Sequence, residues 1–203
     1  MDFLEANGIA ISSMVERVDR FPFENAEAYA NWLAQVYHYA SQTVSLLSWL
    51  VSRTDIRTHP ELHNSRTVHT DEEKGHDQWL SNDIEALGFD LKSMEELPST
   101  RMLWEPQFSV RKSVEAVYGY TIVLEQLAVL RGSKVASRVE NLSTKNCNTF
   151  LKGHSDSDVG HVKRDLEVIN NFEPSSRFAV INNMMQSAEA YNNMLDSIER
   201  RVS

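Results

Sequence analysis

Two short strings in this chain carry side chains of the kinds that bind transition metals. His154, Asp158 and His161 stand at i, i+4 and i+7, so on an α-helix they share one stripe. Upstream lies Glu72-Glu73-Lys74-Gly75-His76, and His69, Glu72 and His76 repeat the geometry at i, i+3 and i+7. Imidazole and carboxylate are the donors that an oxygen-activating iron site uses. Two such stripes facing each other predict a cage for a pair of iron ions inside a helical bundle.

Glu125 adds a third element to the pattern. It is the one charged residue between Tyr120 and Leu130. A carboxylate in so apolar a helix is expected to be buried, and an unpaired buried carboxylate is costly, so it calls for a cation. Arg131 is one candidate partner. A dication fits better, because it compensates several carboxylates at once. The candidate ligands are therefore His69, Glu72, His76, Glu125, His154, Asp158 and His161, spread over three expected helices. The remaining histidines are His38, His59 and His63.

These residues must be positioned by helices. Glycine (7) and proline (5) are scarce, apolar residues recur at helical spacing nearly throughout, and no segment reads as a strand. The pattern predicts an all-α fold of about seven helices. One spans residues 2–20 and a second about 25–52. A third begins at Thr58, where Thr58-x-x-Glu61 reads as a capping box and Pro60 sits in the first turn, and ends at Gly88. Residues 98–109 read as a loop. Further helices are expected from Ser109 to about Val139, with a possible break at Gly132, from about Thr144 to Asn171, and from Pro174 onward.

The bulk numbers bound the function. A chain of 203 residues with 41% hydrophobic content suits one helical domain, residues 1–203, with an ordinary core. A net charge of −9 with no clustered Lys/Arg face argues against nucleic-acid or anionic-membrane partners. The longest apolar run, near Val44 to Val51, is too short to span a bilayer. Met1-Asp2-Phe3-Leu4-Glu5 has no basic leader, and a single cysteine, Cys147, excludes an intrachain disulfide or a thiolate zinc site. Both features fit a reducing cytoplasm.

Three motifs together, Glu72-Glu73-Lys74-Gly75-His76-Asp77, Val123-Leu124-Glu125 and Phe150-Leu151-x-x-His154-x3-Asp158-x2-His161, resemble those of the heme-oxygenase-like di-iron oxidases and oxygenases. These are relatives of the thiaminase-II/PQQ-synthesis fold and of the Chlamydia protein associating with death domains. The likeness covers about residues 25–200. It implies helices around a buried site for two Fe(II)/Fe(III) ions, with O2 as co-substrate. Carried over, the ligands are His76, Glu125, His154, Asp158 and His161. Where well-known members have a carboxylate seven residues before the first histidine, this chain has His69. Either His69 or Glu72 completes the set. The tyrosine that the Chlamydia relative sacrifices beside its central glutamate is absent, since Leu124 and Gln126 flank Glu125.

The resulting expectation is an O2-dependent oxidoreductase acting on a small amino-acid-like molecule, with Glu72 as ligand or outer base. An external reductant and a homodimer through long helix faces are further expectations. His38, Gln42 and Tyr118 are candidates for the substrate pocket, and Arg101, Arg111 and Lys152 for pairing a substrate carboxylate. Three alternatives use the same scaffold. A cofactorless or thiaminase-II-like enzyme would need Cys147 as nucleophile. A heme protein would need only one histidine. In a non-enzymatic helical binding protein the metal would be structural or absent.

Overall fold

The structure, a computed structural model, describes residues 1–109 and 113–203, the side chains of residues 155–157 excepted. Arg111 lies outside the described residues. All regular structure among them is helical: α1 (Phe3–Arg20), α2 (Ala26–Ala40), α3 (Thr43–Arg53), α4 (Pro60–Glu72), α5 (His76–Ala86), α6 (Pro98–Trp104), α7 (Tyr118–Val139), α8 (Thr149–Asn170) and α9 (Pro174–Val202), with short 3-10 turns between some of them.

Local chemistry sets most of these ends. Asp2 and Asn25 cap α1 and α2, their side-chain oxygens accepting from the N–H of Glu5 and of Glu27 and Ala28. Gly88 stands at φ 85°, and the N–H groups of Gly88 and Phe89 bond back to the carbonyls of Glu85 and Ile84. This left-handed cap stops α5 where the glycine predicts.

Four expectations change. The helix expected over 25–52 breaks at Ser41–Gln42, where Ser41 Oγ donates to the His38 carbonyl and competes with helix continuation. The helix expected over 58–87 breaks at Glu73–Gly75, because Gly75 takes a left-handed φ of 86° that ends one helix and starts the next at His76. Thr58 forms no capping box: its hydroxyl donates to the Asp55 carbonyl, and Pro60 opens α4 after His59. Residues 98–104 form α6, with Pro98 in its first turn, while α7 starts only at Tyr118 and runs unbroken past Gly132.

Helix α7 is central. It packs on α8 and α9, and α9 in turn carries α1. Gly119 permits the α7–α9 approach, since a Cβ there would lie 2.3 Å from the Val180 carbonyl oxygen and 2.5 Å from the Met184 nitrogen. The pairs α2–α5 and α3–α4 close the other side. Asp83 on α5 is fully buried and accepts from the N–H groups of Thr149 (3.1 Å) and Phe150 (3.0 Å), so α5 caps the start of α8. This bond fixes the helix of His76 against that of His154. Among the described residues no helix is long and apolar enough to cross a membrane.

Candidate metal centre

Four helices deliver the acid and imidazole side chains to one interior spot. The last turn of α4 gives His69, and Glu73 follows as its C-cap. After the Gly75 turn, α5 opens with His76. Helix α7 contributes Glu125 from its buried face, and α8 contributes His154, Asp158 and His161 from one stripe.

Glu73 stands between two imidazole groups. Its Oε1 lies 3.4 Å from His69 Nε2 and its Oε2 3.2 Å from His76 Nδ1. Glu125 Oε1 approaches His69 Nε2 at 3.3 Å and His161 Nδ1 at 3.8 Å. Asp158 Oδ1 stands 3.2 Å from His154 Nδ1 and 3.4 Å from His161 Nδ1. Potential donor atoms of His69, Glu73 and His161 all lie within 4.8 Å of one another, as do those of Glu73, His76 and His154. Donors on a shared metal, each about 2.1 Å from it, stand roughly 3–4 Å apart.

The structure corrects the place of Glu72. Its side chain is 41% exposed, against 9% for Glu73. It accepts from Arg164 Nη2 at 2.9 Å and touches His161 Nε2 at 3.1 Å from outside the cluster. The stripe expected from 69, 72 and 76 presumed one continuous helix. Glu73, at i+4 from His69 and still αR at the C-cap of α4, faces inward instead.

Charge is concentrated here. Burial, and then the charges of Asp165, Asp158 and Glu73, push the Glu125 carboxyl far above the usual carboxylate range. Burial raises Asp165 as well. For Glu73 and Asp158 burial acts in the same direction, but hydrogen bonds from His69 and His76, and from His154 and His161, outweigh it and hold both acids low. Burial would lower His154 and His161, yet Asp158 and Glu73 keep both raised. Glu125 Oε2 and His154 Nε2 are buried without a hydrogen-bond partner among the described residues. Dry interiors rarely tolerate such orphans, and four buried acids (Glu73, Glu125, Asp158 and Asp165) match the charge of two dications. The donor set fits iron.

Sequence reasoning missed three residues. Glu73 is the neighbour of Glu72, which with His69 stands as an alternative for the last ligand. Asp165 extends the α8 stripe by four and accepts from Thr121 Oγ1 at 3.0 Å. Trp79 stacks on His76, with ring centroids 4.3 Å apart and planes 23° apart. The 154–158–161 spacing, continued one turn, would have found Asp165; nothing local marks Trp79.

A cavity of about 120 Å³ adjoins the cluster, lined by His69, Glu73, Glu125, His154 and Asp158 at one end and largely by aromatic and aliphatic side chains beyond. The expected pocket residues lie elsewhere. His38 Nε2 is engaged with the Met94 carbonyl at 2.9 Å, and Gln42 Nε2 donates to Ser41 Oγ. Tyr118 packs against Phe172 and under the Arg66 guanidinium. Tyr39, Ala40 and Thr43 line the cavity from that side instead. Arg101 is taken by Glu96 at 2.6 Å.

Comparison with known proteins agrees with this architecture. A domain of unknown function with a heme-oxygenase-like fold from Shewanella denitrificans superposes with a TM-score of 0.84 at 19% identity, over 100% of this chain and 94% of its own. A TenA homologue from Pseudomonas syringae pv. tomato gives 0.81 at 15% identity, over 98% and 91%. A CADD-like protein of unknown function from Nostoc punctiforme gives 0.70 at 17%, over 95% and 87%. At these identities the likeness speaks for the fold. No curated protein matches the chain significantly in sequence. The signature of the family described as "Iron-containing redox enzyme" matches residues 30–192. The chain thus belongs to the heme-oxygenase-like family of iron-containing redox enzymes.

Proposed function

We propose that this protein is a non-heme di-iron oxidoreductase that uses O2 to oxidise a small organic substrate held in the cavity beside Glu73 and Glu125. The observation that carries the reading is Glu73, whose two oxygens face His69 on one side and His76 on the other. In this assignment His69, Glu73, His76, Glu125, His154, Asp158 and His161 would together hold the two irons. Bound iron would supply the reduction of O2 and the oxidising power that the side chains lack.

The protein's own residues do the rest. Glu72, itself held by Arg164, meets His161 at Nε2 and so turns Nδ1 toward Asp158 and Glu125. Glu72 is therefore an orienting partner in this reading. Thr121 holds Asp165 beside the cluster. The apolar wall formed by Leu124, Leu127 and Phe150 excludes water from the reacting side of the cavity. Tyr39 and Tyr120 line the same space, and burial raises both phenols, so they stay protonated and able to donate a hydrogen bond.

A cysteine-nucleophile reading on this fold finds no support. Cys147 is buried, its Sγ faces the Val139 carbonyl at 3.7 Å, and burial raises its thiol.

The test is anaerobic loading with ferrous salt, followed by metal analysis and O2-uptake measurement. The wild type should take up about two irons per chain and consume O2, and Glu73→Ala should lose both irons. Glu72→Gln should keep them. A Glu73→Ala protein with full iron content would sink the assignment.

A further inference from the structure

The cavity beside Glu73 and Glu125 has a second end. Its α7 wall continues from Glu125 to Arg131, Gly132 and Val135. Arg131 lies six positions after Glu125 on the helix, about 9 Å along the axis. The lining also includes Phe23, Trp32, Phe150 and Leu127, with Trp32 edge-on to both Phe23 and Phe150 and Phe150 against His154. Arg131 is the one Lys or Arg side chain among the described lining residues.

Charge at that mouth is unbalanced. Arg131 Nε and Nη2 reach Asp19 at 2.8 and 3.1 Å, and Lys134 Nζ reaches the same carboxylate at 2.9 Å. Two cations therefore share one acid. The neighbouring Arg138 is already matched, at 2.6 and 2.7 Å, by Glu24. One positive charge is left over at the rim, where Arg131 is a quarter exposed. An incoming carboxylate can take the guanidinium fork while Asp19 stays on Lys134, and the planar fork suits a carboxylate. Among the described lining residues the acids are Glu73, Glu125 and Asp158, so an ammonium group beside Arg131 would face Asp19, which is already held by both cations.

We propose that Arg131 anchors the carboxylate of an apolar monocarboxylate, whose body lies along the aromatic wall with its far end toward Glu73 and Glu125. The cavity, about 120 Å³, is close to the roughly 150 Å³ that holds a benzene ring, which limits the body to about six to eight carbons. The inference names the substrate class for the di-iron reading and rests on it for turnover. Binding itself requires no metal.

The experiment is calorimetric titration of the metal-free protein with 3-phenylpropionate, its amide 3-phenylpropanamide, and phenylalanine. The acid should bind about tenfold or more tighter than the amide, as loss of a charge-assisted pair predicts. Phenylalanine should bind more weakly than 3-phenylpropionate. Arg131→Gln should abolish the preference for acid over amide. Equal binding of acid and amide by the wild type, tighter binding of phenylalanine, or an unchanged preference in Arg131→Gln would each overturn the proposal, and the first two require no variant. Iron loading of the same preparation separates the two readings. Two irons per chain without binding of the acid defeats the substrate class alone, and binding of the acid without iron uptake defeats the di-iron assignment alone.

Discussion

Gly153 on α8 lies directly against the indole of Trp79 on α5: a Cβ on Gly153 would stand 2.6 Å from Trp79 Cζ3 and 3.1 Å from Cε3. The indole in turn stacks on His76 and meets His154 edge-on at 6.2 Å. Glycine at 153 therefore sets the position of an aromatic plate behind two candidate ligands. Gly153→Ala should tilt Trp79 at a stability cost of about 1 kcal/mol. Metal affinity should fall about tenfold, the usual size of an outer-shell defect. Cobalt titration followed by tryptophan emission checks this, and a variant binding metal like the wild type would refute it.

Asp83 ties the helix of His76 to that of His154 through the N–H groups of Thr149 and Phe150. Asp83→Ala leaves two half-buried donors at the start of α8 without their carboxylate and should destabilise the protein by about 2 kcal/mol. Asp83→Asn keeps an acceptor and should recover part of that loss. Urea unfolding of both variants measures it; equal stability of the alanine variant and the wild type would remove the capping role.

At Gly119 the clash is with backbone. A Cβ there meets the Val180 carbonyl oxygen and the Met184 nitrogen, and neither can rotate aside. Gly119→Ala should force α7 and α9 apart at a cost of about 3 kcal/mol or more. A thermal midpoint within a few degrees of the wild type would show that the helices separate easily.

Acid should oppose metal loading. His154 and His161 hold their protons to higher pH than free histidine, because Asp158 and Glu73 outweigh the effect of burial. Metal ligation requires neutral imidazole, so loading expels protons and apparent affinity falls as pH falls. Between roughly pH 7.5 and 6 the loss should be on the order of tenfold or more. Conversely, ferrous ion at about a hundredfold excess over its Kd should stabilise the fold by about 2.7 kcal/mol, and a chelator should reverse this. Titrations and melting curves at several pH values test both; pH-independent affinity would exclude ligation by these imidazoles.

Much of the site was legible from spacing. His154, Asp158 and His161 needed only the 3.6-residue period of one unbroken helix, and α8 provides it. Glu125 was marked by its apolar neighbours, and it is buried. The helical class followed from scarce glycine and proline and from the apolar period. The error at Glu72 had a different source. Residues at i+3 and i+4 both flank the His69 stripe, and only the packing of α4 against α7 and α8 decides that Glu73 and not Glu72 is the inward one, while the left-handed Gly75 splits one expected helix into two.

By itself the sequence determined an all-helical chain carrying imidazoles and acids in stripes, because those features depend on local period and residue chemistry. The tertiary structure decided which acid stands between the histidines, that Trp79 backs His76, and that Arg131 lines the same cavity as Glu73 and Glu125. Those relationships join residues from different helices, and their distances are set by how the helices pack, which no local pattern encodes.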